Sequence, residues 1–129
     1  MSDKELALKA AYESAKDRIN ISEADFIKMF GKDWEIIPVK VKHQIVGCML
    51  RKGPELHAAI KPEGHKKWYR KAEKKVVEDT VKQFGYAVTA VMANNKEGQA
   101  FVTRLGFKQV ATDGITIIYV LGNKDEPIH

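Results

Sequence analysis

The sequence predicts an α/β (α+β) domain on a mixed central sheet of about six strands, mainly antiparallel with one parallel pair and flanked by helices. Three observations predict it. Three short strand-like runs, the first rich in β-branched residues, follow one another between Trp34 and Ile60, separated by turn residues. A long basic amphipathic stretch then leads into the apolar run Tyr86–Met92, the pattern of a strand–helix–strand unit whose two strands lie parallel. Two further runs, Phe107 to Ala111 and Ile115 to Leu121, flank the turn signal Thr112-Asp113-Gly114.

Size and composition support one domain. A chain of 129 residues can bury one core but not two, and 44% hydrophobic with 30% charged residues is the balance of a soluble globular protein. The expected division is 1–33 for N-terminal helices, 34–121 for the core of the fold and 122–129 for a polar tail. The start, MSDKELALKAAY, is charged and is not a secretory signal, and no run is long enough to span a membrane, so a cytoplasmic location is expected. Cys48, the single cysteine, lies in the apolar run Ile45–Leu50 and reads as a small buried hydrophobe. His43, His57, His65 and His129 show no pair at metal-ligand spacing, so no metal is expected.

Each element has its own local cause. Leu6, Ala10, Ala11, Ala15 and Arg18 recur at helical spacing and predict a first helix over residues 3–18. Ser22, followed by Glu23 and Asp25, reads as the cap of a second helix that turns Phe26, Ile27 and Phe30 to one side and stops at Gly31. Trp34–Val41 reads as a strand, in which Pro38 argues for an edge or a bulge. Lys42-His43-Gln44 is a turn, Ile45–Arg51 a strand, Lys52-Gly53-Pro54 a turn and Leu56–Ile60 a strand, together an antiparallel meander.

The helix expected from about Lys66 to Phe84 puts Trp68, Ala72, Val76, Thr80, Val81 and Phe84 on its inner face, and Gly85 stops it. Tyr86–Met92 reads as a strand buried on both sides. Glu97–Leu105 is a short helix with Phe101, Val102 and Leu105 inward, ended by Gly106.

The net charge of +5 is concentrated in one place. Residues 61–75 hold seven Lys/Arg against two acids, and the rest of the chain is balanced. Such a patch favours an anionic partner: a phosphate, a nucleic acid or an acidic protein surface. Nucleic acid is the weaker of these, because Trp68 is in phase with the apolar stripe and leaves Tyr69 as the one exposed aromatic in the run. No membrane partner is expected.

The segment Asn95-Lys96-Glu97-Gly98-Gln99-Ala100-Phe101-Val102-Thr103-Arg104-Leu105-Gly106-Phe107 resembles the N-x-x-A-x-x-F-Y-x-x-x-G-F signature of the GCN5-related N-acetyltransferase (GNAT) superfamily. Pro62-Glu63, between a strand and a basic helix, is similar to the start of that family's acetyl-CoA motif. The resemblance implies a GNAT-like acyl-CoA N-acyltransferase fold. It further implies acetyl-CoA as cofactor, held at Ile60, Gly64, His65, Lys66, Lys67, Arg70 and Asn95, with no metal. The family binds pyrophosphate on backbone N–H groups where glycines permit close approach to a helix start. Here Trp68 and Arg70 occupy the two glycine positions.

Two departures concern the chemistry. The tyrosine that protonates the leaving thiolate falls at Val102, which has no proton to give. The base that takes a proton from the attacking amine has two candidates on the strand before the motif, Glu55 and His57. For Asn95 the resemblance allows either a place near the pantetheine arm or a helix cap.

The altered glycine motif, the missing tyrosine, the ELHAAIKPE strand and the DGITIIYVL ending are similar to small GNAT-like proteins of short-tailed DNA phages. That likeness implies a GNAT-fold protein, non-catalytic or weakly active, in phage head or virion assembly, within the host cytoplasm or the virion. A protein partner or a homodimer would follow from such a role. The alternative is an active N-acetyltransferase moving an acetyl group from acetyl-CoA to an amine.

Overall fold

The structure is a computed structural model that describes residues 2–61 and 70–122. Its elements are α1 (Asp3–Ala15), α2 (Glu23–Asp33), β1 (Glu35–Val41), β2 (Gln44–Lys52), β3 (Glu55–Ile60), α3 (Arg70–Phe84), β4 (Tyr86–Met92), α4 (Lys96–Arg104), β5 (Lys108–Thr112) and β6 (Thr116–Gly122). The strands form one mixed sheet in the order β1-β2-β3-β4-β6-β5. The predicted parallel pair is β3 with β4, where Glu55 stands opposite Val88 and the Val88 N–H donates to the Pro54 carbonyl at 2.9 Å. By contact density the chain divides into two compact units, residues 1–52 with 57–73, and residues 53–56 with 74–129.

In the first unit Ser2 caps α1 and Ser22 caps α2, each hydroxyl accepting from the N–H three residues on at 3.2 Å. The buried residues of α1 are Ala7, Leu8, Ala10, Ala11 and Ala15, with Ala10, Ala11 and Ala15 as expected; Leu6, expected on that face, is exposed. A small rotation of the helix accounts for the difference, turning Leu8 rather than Leu6 onto the sheet. Leu8 packs with Phe26, Ile36, Cys48, Leu50 and Ala59 in the core of this unit. Gly31 does not stop α2, which continues to Asp33. Its last turn thereby brings Phe30 and Trp34 into edge contact, ring centroids 5.5 Å apart, and that apolar gain outweighs the weak helix propensity of one glycine.

Pro38 lies on the edge strand β1, where a missing N–H costs no sheet bond. Val41 pairs with Gln44, so the hairpin turn is Lys42-His43, both with positive φ (48° and 72°), and Gln44 belongs to β2. Gly47 sits where the β1–β2 register shifts. A Cβ there would lie 2.2 Å from the Ala59 carbonyl oxygen, so β3 can approach only a glycine.

The inner line of α3 agrees with expectation at Thr80 and departs from it elsewhere. Glu73, Val77 and Thr80, spaced i, i+4 and i+7, are the buried residues among its described side chains, Glu73 at 0% exposure; Val76 and Val81 are half-buried and Phe84 is 39% exposed, and the side chain of Ala72 lies outside those described. The Thr80 hydroxyl donates to the Val76 carbonyl at 2.8 Å, which lets a polar side chain take a place in the buried stripe. Trp68 lies outside the described residues. Nor is β4 buried on both faces, since Ala87, Thr89 and Val91 are buried while Tyr86 and Met92 are exposed.

Seven consecutive pairs join β4 to β6, from Tyr86 with Gly122 to Met92 with Thr116. At the far edge β5 is exposed at all five positions, and Val110 is skipped where its register with β6 shifts. That bulge and Lys108 guard the free edge. Among the described residues no helix is long and apolar enough to cross a membrane.

Candidate functional site

Alternation along β3 sends Glu55, His57 and Ala59 to one face, and Ala59 belongs to the core formed with α1 and α2. His57 is half-buried, its ring centroid 5.4 Å from that of Trp34 and tilted by 59°. Trp34 in turn meets Phe30, Phe30 meets Phe26 at 4.9 Å, and Phe26 meets Tyr12 at 5.6 Å. The Tyr12 hydroxyl donates to the Ile21 carbonyl at 2.9 Å and fixes the far end. Lys52 places its ammonium 5.8 Å from the Trp34 ring centre. A continuous row of rings thus runs from α1 to β3 and ends on the imidazole.

Contact with Trp34 limits the orientation of the His57 ring. Arg51 braces the neighbouring strands with a bidentate grip on Glu35, at 2.9 Å to each carboxylate oxygen. Sequence reasoning singled out His57 but did not link it to Trp34, nor Trp34 to Lys52. Trp34 stands at the end of α2 and Lys52 at the end of β2, and no local periodicity links either position to the middle of β3.

In the second unit Asn95 is the N-cap of α4, its Oδ1 accepting from the Gly98 N–H at 3.1 Å. A Cβ on Gly98 would fall 2.5 Å from Asn95 Nδ2, so the glycine lets the cap close. The other end of α4 is a Schellman motif. Phe107 N–H donates to the Val102 carbonyl at 3.1 Å and Gly106 N–H to the Thr103 carbonyl at 3.0 Å, with Gly106 at φ 101°. Phe101, Val102 and Phe107 are buried, as this arrangement requires, and Leu105 is half-buried.

No protein-family model matches the chain, and no curated protein matches it by sequence. Solved structures do match it. Ribosomal-protein-S18-alanine N-acetyltransferase from Escherichia coli is 18% identical with a TM-score of 0.64, covering 94% of this chain and 93% of that one. PaiA N-acetyltransferase from Thermoplasma acidophilum, solved in complex with coenzyme A, is 17% identical with a TM-score of 0.65, over 93% and 90% of the two chains. A GNAT-family acetyltransferase from Bacillus anthracis is 14% identical with a TM-score of 0.66, over 95% and 91%. The chain has the GNAT acetyltransferase fold.

Within that GNAT fold the cofactor-binding expectations divide. Gly64, His65, Lys66 and Lys67 lie outside the described residues, as do Pro62, Glu63, Trp68 and Tyr69. Arg70 is the first residue of α3 and Ile60 the buried last residue of β3. Asn95 acts as a helix cap. Val102, at the position of the family's tyrosine, is 7% exposed and packed into the core. Cys48 is fully buried and desolvation pushes its thiol up to about 12, far from a thiolate nucleophile at neutral pH. Among the described residues no group of three or more His, Cys, Asp and Glu is placed to hold a metal ion.

Proposed function

We propose that this chain is a GNAT-fold binding protein whose acetyl-transfer chemistry is absent or weak, and that it serves in an assembly rather than as an efficient enzyme. The observation that carries this reading is the interior of α4, where Val102 fills by packing the place of a proton donor. A positioned general acid is worth roughly 10²–10⁴-fold in rate, so any residual turnover would be slower by about that factor. The role in phage head or virion assembly is part of the proposal and is supported by the short sequence likenesses alone.

The GNAT fold and the coenzyme A bound to the Thermoplasma protein make CoA the first ligand to test. Bound acetyl-CoA would supply an activated acetyl thioester. For such a ligand this chain offers Lys66, Lys67 and Arg70 as phosphate partners by charge and Ile60 at the end of β3. Under the alternative, an active N-acetyltransferase, His57 or Glu55 takes a proton from the attacking amine, and Val102 leaves the thiolate to be protonated by solvent. The specific support for that second reading is the half-buried imidazole held against Trp34 on β3.

Two measurements test the proposal. Calorimetric titration with CoA and acetyl-CoA should give binding that is lost in Lys66→Glu or Arg70→Glu, and silence at about millimolar ligand would remove CoA from the picture. Thiol release from acetyl-CoA with a panel of primary amines should stay at background. Sustained turnover that drops about a hundredfold in His57→Ala would establish the enzyme instead.

A further inference from the structure

The second unit carries a groove that the acetyltransferase reading does not use. It encloses about 550 Å³ beside α3, with Val77, Val81, Leu105 and Leu121 on its floor and Lys74, Glu78 and Lys82 on its rim. The rim residues are spaced i, i+4 and i+8, so they form one line along the helix. Gly106, the left-handed cap of α4, adds no side chain to the wall, and a Cβ there would already touch Leu121 Cδ1 at 3.4 Å.

Phe84, about one turn beyond Val81, is 39% exposed and extends the apolar surface along the helix. The charge beside it is predominantly positive. The exposed face of α3 presents Lys71, Lys74, Lys75 and Lys82 against Glu78 and Asp79.

We propose that this groove docks an acidic, amphipathic segment of a partner protein: one or two apolar side chains enter between Val81, Leu105 and Leu121, and flanking carboxylates meet Lys74 and Lys82. The apolar anchor supplies most of the affinity, and the lysines supply register and rate of encounter. A free phosphate would meet the rim lysines but leave the aliphatic floor uncovered. Docking here does not depend on acetyl-CoA binding.

Selection from a library of random short peptides displayed against the intact chain tests it. Enriched peptides should carry an apolar residue flanked by Asp or Glu. Their binding, followed by fluorescence polarisation, should weaken at least about tenfold in the double variant Lys74→Glu/Lys82→Glu, and also in Val81→Asp. The lysine side chains are exposed, so the double variant should melt as the wild type does. Failure to enrich any peptide, enrichment of sequences without acids, or equal binding to the lysine variant overturns the proposal. So does self-association of the chain that Val81→Asp abolishes, which would assign the groove to a second copy.

Discussion

The α4 segment and the Trp34–His57 cluster are built on opposite principles. In α4 nearly every residue of the family-like signature serves the architecture. Asn95 caps, Gly98 makes room for the cap, Phe101 and Val102 fill the core and Gly106 closes the Schellman motif. The cluster around Trp34 belongs to no motif, yet its indole holds an imidazole on one side and a lysine on another. The difference teaches that a family-like signature can be satisfied by packing alone, because a cap and a core position make demands of their own. Candidate chemistry is better sought where a titratable ring is held by partners from distant elements.

The largest effect that would break this comparison is expected at Trp34. Trp34→Ala removes the ring that touches Phe30, His57 and Lys52, and should destabilise the protein by about 3 kcal/mol in urea unfolding. An unchanged midpoint would mean that the row of rings is decoration rather than core. Val102→Tyr comes next. Forcing a phenol into this packed position should cost about 2 kcal/mol and bring no acetyl transfer. Turnover gained at unchanged stability would instead show the donor site to be intact in outline.

Asn95→Ala should cost about 1 kcal/mol, read as a lower melting temperature, and Asn95→Asp should keep most of the stability, since either side chain can accept from the Gly98 N–H. If acetyl-CoA affinity fell while the melt stayed put, Asn95 would be a ligand residue and not a cap. The smallest effect is expected in the β5–β6 turn. N–H bonds from Thr116 and then Ile115 hold the Asp113 carboxyl below the usual carboxylate range. Its folded pKa is thus lower than its unfolded value of about 3.9, so the contribution is complete above that pH and fades as pH falls through the folded value. Thermal melts of Asp113→Asn should therefore show a small deficit near neutrality that closes as pH falls, giving a shallower acid limb than that of the wild type.

Much of the fold was legible because it is encoded locally. Ser22, Asn95 and Gly106 announce helix ends through groups that act within a few residues. Pro38 marks an edge for a reason contained in its own ring, and the parallel pairing of β3 with β4 follows from a helix placed between two strands. The site was less legible. Glu73 sits in a lysine-rich run and reads as a solvated charge, yet it is the first member of the buried line Glu73, Val77 and Thr80.

The sequence by itself determined the kinds of element, their order, the caps between them and the absence of a hydroxyl at Val102. These follow from periodicity and local hydrogen bonding, which act within a turn or a strand. Only the tertiary structure decided which line of α3 faces inward, that α2 runs through Gly31 to deliver Trp34, that His57 rests on that indole, and that α3, α4 and β6 leave an open groove rimmed by lysines. Each of these depends on which distant side chains meet, and packing chooses among rotations of a helix that its own pattern leaves nearly equal in energy.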